Sequence, residues 1–135
     1  MLIINQKDFL HILEHVISEL PNEGCGILAG KRGRVILVYP ATNTEKSPER
    51  YLMDPREQAD AIQDMRRRDL EIVGIYHSHV NGPAYPSQRD LQMAYYPDAV
   101  YVIISLEDPE RPEIRGFWIR EGTIREEEIS FQNNK

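Results

Sequence analysis

The chain has 135 residues, 41% of them hydrophobic and 28% charged, with a formal net charge of −6. That mix describes one soluble globular domain with one core, and the acidic balance excludes the basic face that nucleic-acid binding needs. One cysteine, Cys25, excludes an intrachain disulfide and suits a reducing, cytoplasmic setting, while the apolar run in "MLIINQKDFL" is too short for a signal peptide or a membrane span.

In chain order, "NQKDFLHILEHVISELP" predicts an amphipathic helix with Phe9, Leu13, Val16, Ile17 and Leu20 on one face and Pro21 as its stop. "GCGILAGKRGRVILVYPATN" predicts two strands joined by a turn at Lys31-Arg32-Gly33. "YLM", Tyr51 to Met53, reads as extended. "DPREQADAIQDMRRRDL" predicts a second helix: Asp54 is the N-cap, Pro55 the first helical residue, and Glu57 completes a capping-box-like pair. Ile62 and Met65 give it an apolar stripe, and "MRRRD" is its wet face. "EIVGIYHSH" then predicts a strand, "SQRDLQMAYY" a short helix and "AVYVIISL" a buried strand. "IRGFWIR" and "TIREEEIS" read as a closing hairpin across Glu121-Gly122, and residues 130–135 as a loose tail. This order is mixed α/β, one sheet with helices packed on it. No repeat or linker divides the chain, so a single domain is expected over 1–135.

"HILEH", His11 to His15, matches an inverted zinc-protease pattern, H-x-x-E-H. At ~100° per residue, His11, Glu14, His15 and Ser18 fall opposite the apolar stripe. A metal helix should turn its ligands inward, so these histidines are expected on a solvated face.

The second pair, His77 and His79, ends a predicted strand. Residues i and i+2 of a strand point the same way, so both imidazoles can reach one ion. Alone, the pair reads equally as two partly exposed histidines at a strand end. Ser87 and Asp90 read as a helix start, Ser87 the N-cap and Asp90 the reciprocal acceptor; capping leaves the carboxylate free to point back at the strand. The combination carries the weight: H-x-H, seven residues, Ser, two residues, Asp. Two nitrogens and one oxygen would leave a fourth tetrahedral position for water, the arrangement of catalytic rather than structural zinc. Glu23, in "PNEGCGIL", is the candidate base for such a water; it reads otherwise as an exposed turn residue. If "EGCGI" is extended, Glu23, Cys25 and Ile27 share a face, and Gly24 and Gly26 occupy the other, where a neighbouring backbone approaches closely. Cys25 reads as a small buried hydrophobe.

Glu23, "HSH" 77–79, Ser87 and Asp90 together resemble the signature of the JAMM, or MPN+, metalloproteases: a glutamate on an early strand, then H-[ST]-H, seven residues, serine, two residues, aspartate. The resemblance covers nearly the whole chain, with one departure: Val80 stands where the family commonly has proline. It implies the JAMM/MPN fold, related to the cytidine-deaminase-like architecture. It implies one zinc ion held by His77, His79 and Asp90 with water as fourth ligand, Glu23 as general base and acid, and Ser87 as a hydroxyl donor to the oxyanion. "NEGCGILAG", "PAYPSQRDLQMAYYPDAVYVIISL" and "RGFWI" are similar to the short stand-alone bacterial branch. That branch implies, as partner, a ubiquitin-like sulfur-carrier protein cut after its C-terminal Gly-Gly, for example with release of cysteine. The alternatives are a non-catalytic MPN scaffold, which would lack some of these ligands, and an isopeptidase acting on other ubiquitin-like conjugates. A zinc deaminase needs H-x-E and P-C-x-x-C, which this chain does not have.

Overall fold

The computed structural model describes residues 1–133. The chain begins with a strand that the sequence reading left out: β1 (Leu2–Asn5) runs directly into α1 (Gln6–Ser18). Asn5 makes the junction, since its side chain accepts from the Asp8 N–H at 2.8 Å and caps the helix. β2 (Cys25–Lys31) and β3 (Arg34–Ala41) follow as a hairpin. Its turn residues, Arg32 and Gly33, both have positive φ, as do Glu121 and Gly122 in the later hairpin. These are the left-handed pairs that match the twist of two-residue hairpins.

α2 (Pro55–Arg67) is capped by the Asp54 carboxylate, which accepts from the Arg56 and Glu57 N–H groups. Glu57 does not close the expected box. Its carboxylate is engaged by the backbone and hydroxyl of Thr42, at 2.6 and 2.8 Å, and ties the helix to the end of β3. β4 (Glu71–His79), α3 (Gln88–Gln92) and β5 (Val100–Ser105) come next. α3 is half the predicted length: beyond it the Tyr96 N–H turns to the Tyr101 hydroxyl. "YLM" contributes only an isolated bridge, Met53 to Asn43.

β6 (Glu113–Arg120) and β7 (Thr123–Glu127) form the expected hairpin, but "TIREEEIS" is two strands, because Glu128 breaks it and β8 (Ile129–Gln132) leaves for β1. Residues 130–132, read as tail, therefore lie in the sheet; the tail reading at 134 and 135 falls outside the described residues. The sheet order is β7-β6-β5-β4-β2-β3-β1-β8. One residue separates the two end strands, so the sheet curls around α1. The β1–β8 ladder begins where the Leu2 N–H donates to the Glu128 carbonyl at 2.9 Å.

Each face of the sheet has its own core. Ile12 and Val16 of α1 pack with Leu28, Val38, Val102 and Ile104; Ala61 and Met65 of α2 pack with Ile27, Ile75, Ile103 and Phe117 on the other side. The buried stripe of α1 thus centres on Ile12 and Val16, and Ile17 is 41% exposed. His15, expected in solvent, faces inward. Its Nδ1 lies 2.7 Å from the buried Tyr76 hydroxyl, which needs a partner once the helix covers it. The ring of Tyr76 occupies the space above Gly26, where a Cβ would come within 2.3 Å of it; above Gly24 the close neighbour is α1 itself, at Val16. Among the described residues no helix is long and apolar enough to cross a membrane.

Candidate metal centre

β4 is the central support of the site. It lies between antiparallel β2 and parallel β5, so its backbone is held on both sides. Its alternation sends Tyr76 toward α1 and His77 toward the α2 face, where the imidazole stacks on Tyr51 with centroids 4.6 Å apart. His79 is fixed by a hydrogen bond between its Nδ1 and the Pro83 carbonyl at 2.8 Å. A carbonyl only accepts, so Nδ1 carries the hydrogen and Nε2 is left for the site.

Asp90 comes from the first turn of α3. The capping box forms: the Asp90 N–H donates to Ser87 Oγ at 3.2 Å and the Ser87 N–H to Asp90 Oδ2 at 2.8 Å. The box also aims the carboxylate. Asp90 Oδ1 lies 3.2 Å from His77 Nε2, Oδ2 lies 2.9 Å from His79 Nε2, and the two imidazole nitrogens are 3.2 Å apart. Ligand atoms 2.0–2.1 Å from one tetrahedral ion sit ~3.3 Å from each other; here one carboxylate oxygen faces each imidazole, and one ligand atom from each of the three residues lies within 4.8 Å of the others. His77, His79 and Asp90 are thus a group able to hold a metal ion. Burial works to raise the Asp90 pKa, but the two imidazoles and the Ser87 N–H outweigh it and hold the carboxyl well below its usual range.

Glu23 precedes β2 and is 4% exposed, which removes the exposed-turn reading. Burial pushes its carboxyl up to about 8, against the pull of His79 and Arg89 and with Asp90 adding to the rise. It borders a cleft of about 350 Å³ together with His79, Ser87, Pro48 and the 80–86 loop. Cys25 is in register with His77 and buried, its thiol pushed up to about 12 by burial, so it packs rather than reacts. On α1, His11 is exposed and His15 is committed to Tyr76, so "HILEH" brings no metal site together.

Four supporting residues escaped the sequence reading: Tyr51, Pro83, Ser78 and Asn43. Ser78, between the two histidines, points to the far side of β4. Its Oγ accepts from the Gly24 N–H at 2.8 Å, and its N–H donates to the Gly24 carbonyl at 3.0 Å. The small hydroxyl residue in "HSH" was the available signal for Ser78. Asn43, Tyr51 and Pro83 lie in irregular segments and carry no spacing signal.

A mixed curled sheet with two imidazoles on its central strand, a carboxylate on the next helix and a buried acid beside them defines a metallopeptidase-like architecture. Residues 5–120 match the family described as prokaryotic homologs of the JAB domain, and the chain belongs to that family. The CysO-cysteine peptidase of Mycobacterium tuberculosis is 40% identical over 121 residues, 88% of this chain and 83% of that protein. A probable TtuB-protein conjugate cleaving protease of Thermus thermophilus is 38% identical over 109 residues, 80% of this chain and 69% of its own. The solution structure of a Desulfitobacterium hafniense protein superposes with a TM-score of 0.90 at 39% identity, covering 99% of this chain and 94% of that one. A JAB1/MPN domain protein of Archaeoglobus fulgidus shares the fold, with a TM-score of 0.61 at 18% identity over 98% of this chain and 99% of that one.

Proposed function

We propose that the chain is a zinc metallopeptidase that hydrolyses the peptide or isopeptide bond after the C-terminal Gly-Gly of a ubiquitin-like sulfur-carrier protein, with cysteine as one leaving group. The observation that carries this reading is a buried acid, Glu23, lining one cleft with His79, a member of the three-residue group able to hold a metal ion. His77, His79 and Asp90 would hold one zinc ion, leaving its fourth position to water. When bound, the ion supplies Lewis-acid polarisation and lowers the pKa of that water. Glu23 takes the proton of the attacking water and hands it to the leaving nitrogen as the C–N bond breaks, so a carboxylate and an amine are released. The Ser87 hydroxyl, exposed at the cleft, donates to the oxygen that becomes negative.

The relatives named for CysO-cysteine and for TtuB conjugates support a carrier-type substrate. A slim, extended Gly-Gly tail could lie in the cleft lined by Pro48, Glu49 and the 80–86 loop. A scaffold without catalysis would not need all three donors and the buried acid. A lone, buried cysteine needs no oxidising compartment, and we place the reaction in the cytoplasm.

The test uses zinc-loaded protein and a small carrier ending Gly-Gly-Cys, read by mass spectrometry. Loss of the terminal cysteine is expected, and an unchanged carrier mass rejects this substrate class. Glu23→Gln should keep its zinc and lose at least about 100-fold in kcat. Asp90→Ala should lose zinc by elemental analysis; full metal content would strike Asp90 from the ligand set.

A further inference from the structure

We infer that Asn43 is a positioning residue that sets the aim of Glu23, an inference that rests on the role proposed for Glu23. Asn43 looks like an ordinary turn residue in "ATNTEK", yet it is 4% exposed and its amide is used in full. The amide nitrogen donates to the Glu23 carbonyl at 3.0 Å and to the Arg50 carbonyl at 3.1 Å. The amide oxygen accepts from the Glu45 and Leu52 N–H groups, both at 3.0 Å. One side chain therefore joins the residue that carries the proposed base to the loop on either side of Tyr51, the ring that stacks on His77.

Glu23 needs such a hold because it lies outside the sheet. β2 begins at Cys25, so no ladder fixes Glu23. Its backbone is held at three points instead. Its own N–H donates to the Ser47 carbonyl at 2.9 Å, Asn43 takes its carbonyl, and Ser78 grips the following Gly24 from the other side of the sheet. Two of the three contacts belong to the 43–52 loop, and Asn43 folds that loop. The metal donors have further holds of their own in β4, Pro83 and the α3 cap, and meet the loop at the Tyr51 ring on His77. Asn43 thus acts directly on the backbone of the proton acceptor and on the donors only at one remove, through the Tyr51 ring, and a displacement of about 1 Å at such a group can cost about 100-fold in rate.

The test is Asn43→Asp, which keeps the size and both acceptor bonds but cannot donate to Glu23 or Arg50. Variants are compared as zinc-loaded enzyme on the Gly-Gly-Cys carrier, alone and combined with Glu23→Gln, with zinc affinity measured by chelator competition and folding by thermal melt. The expected result is a fall of about 30–100-fold in kcat, with KM and zinc affinity within about threefold of wild type. Added to Glu23→Gln, the change should cost almost nothing more, because it acts through the same group. Wild-type kcat in a folded, zinc-loaded Asn43→Asp enzyme overturns the inference, as does a full additional loss in the Glu23→Gln background. Equal losses of zinc affinity and kcat also overturn it, since they would mean Asn43 holds the donors. If Asn43→Asp does not fold, Asn43→Ser carries the same comparison. Full activity in Glu23→Gln alone would instead reject the base, a result distinguishable from either.

Discussion

Glu23 shows how burial changes the acidity of a residue type usually found at the surface. Its folded-state pKa of about 8 stands above the ordinary 4.5. Between those values the unfolded chain has released a proton that the metal-free folded protein still holds. Stability that is present at low pH is therefore lost as pH rises through this window, and the loss levels off above about 8. Glu23→Gln has no proton to lose. In metal-free protein its stability relative to wild type should grow from pH 5 to pH 8, with a slope approaching about 1.4 kcal/mol per pH unit. Urea unfolding at three pH values reads this directly, and parallel stability profiles would contradict a buried neutral acid. Adding zinc should flatten the difference, because a nearby dication favours the carboxylate.

At the level of elements, β4 does two jobs with alternate residues. Tyr76 anchors the strand to α1 through His15, and His77 faces the site on the opposite side. The two jobs meet at Gly26, the cross-strand neighbour of Tyr76, which leaves room for the tyrosine ring. Gly26→Ala should lower stability by about 1–3 kcal/mol, the usual range for overpacking a full core, and weaken metal binding with it, since Tyr76 and His77 share a backbone. Thermal melts and chelator competition on the same sample test this. A melt unchanged within error would mean that the Tyr76 seat yields freely. α3 makes the complementary contribution: five residues long and without buried side chains, it is held by a capping box whose carboxylate serves the site.

Across the whole molecule, the candidate ion site sits on the sheet between two apolar cores, one on each face. The donors come from a central strand and an adjacent turn that the cores already fix. Zinc should then add stability only by mass action, about 2.7 kcal/mol at a hundredfold excess over Kd, worth on the order of 10 °C in Tm for a chain of this size. Chelation should lower Tm by that order and leave the far-UV circular dichroism spectrum unchanged. Loss of the spectrum on chelation would mean that the ion is part of the fold.

The elements with strong periodicity and clear punctuation were legible in the sequence: α1 and α2, the β2–β3 hairpin, β4, β5, and the His77, His79, Asp90 spacing. Each is dictated by neighbours a few residues away, and local physics is enough to read them. β1 and β8 were not legible, because each is four residues long and is held by strands distant in sequence: β8 by β1 across the whole chain, and β1 by β8 and β3. The inward turn of His15 and the burial of Glu23 were equally hidden: a helix wheel gives relative angles, but only the curled sheet fixes which face is covered and supplies the Tyr76 hydroxyl. Sequence alone therefore pointed to His77, His79 and Asp90 as a group, and the fold brings them together as one able to hold a metal ion. Tertiary structure decided their surroundings, through the Pro83 carbonyl, the Tyr51 ring and the Asn43 amide, because those partners are brought in by closure of the fold and leave no spacing in the chain to find.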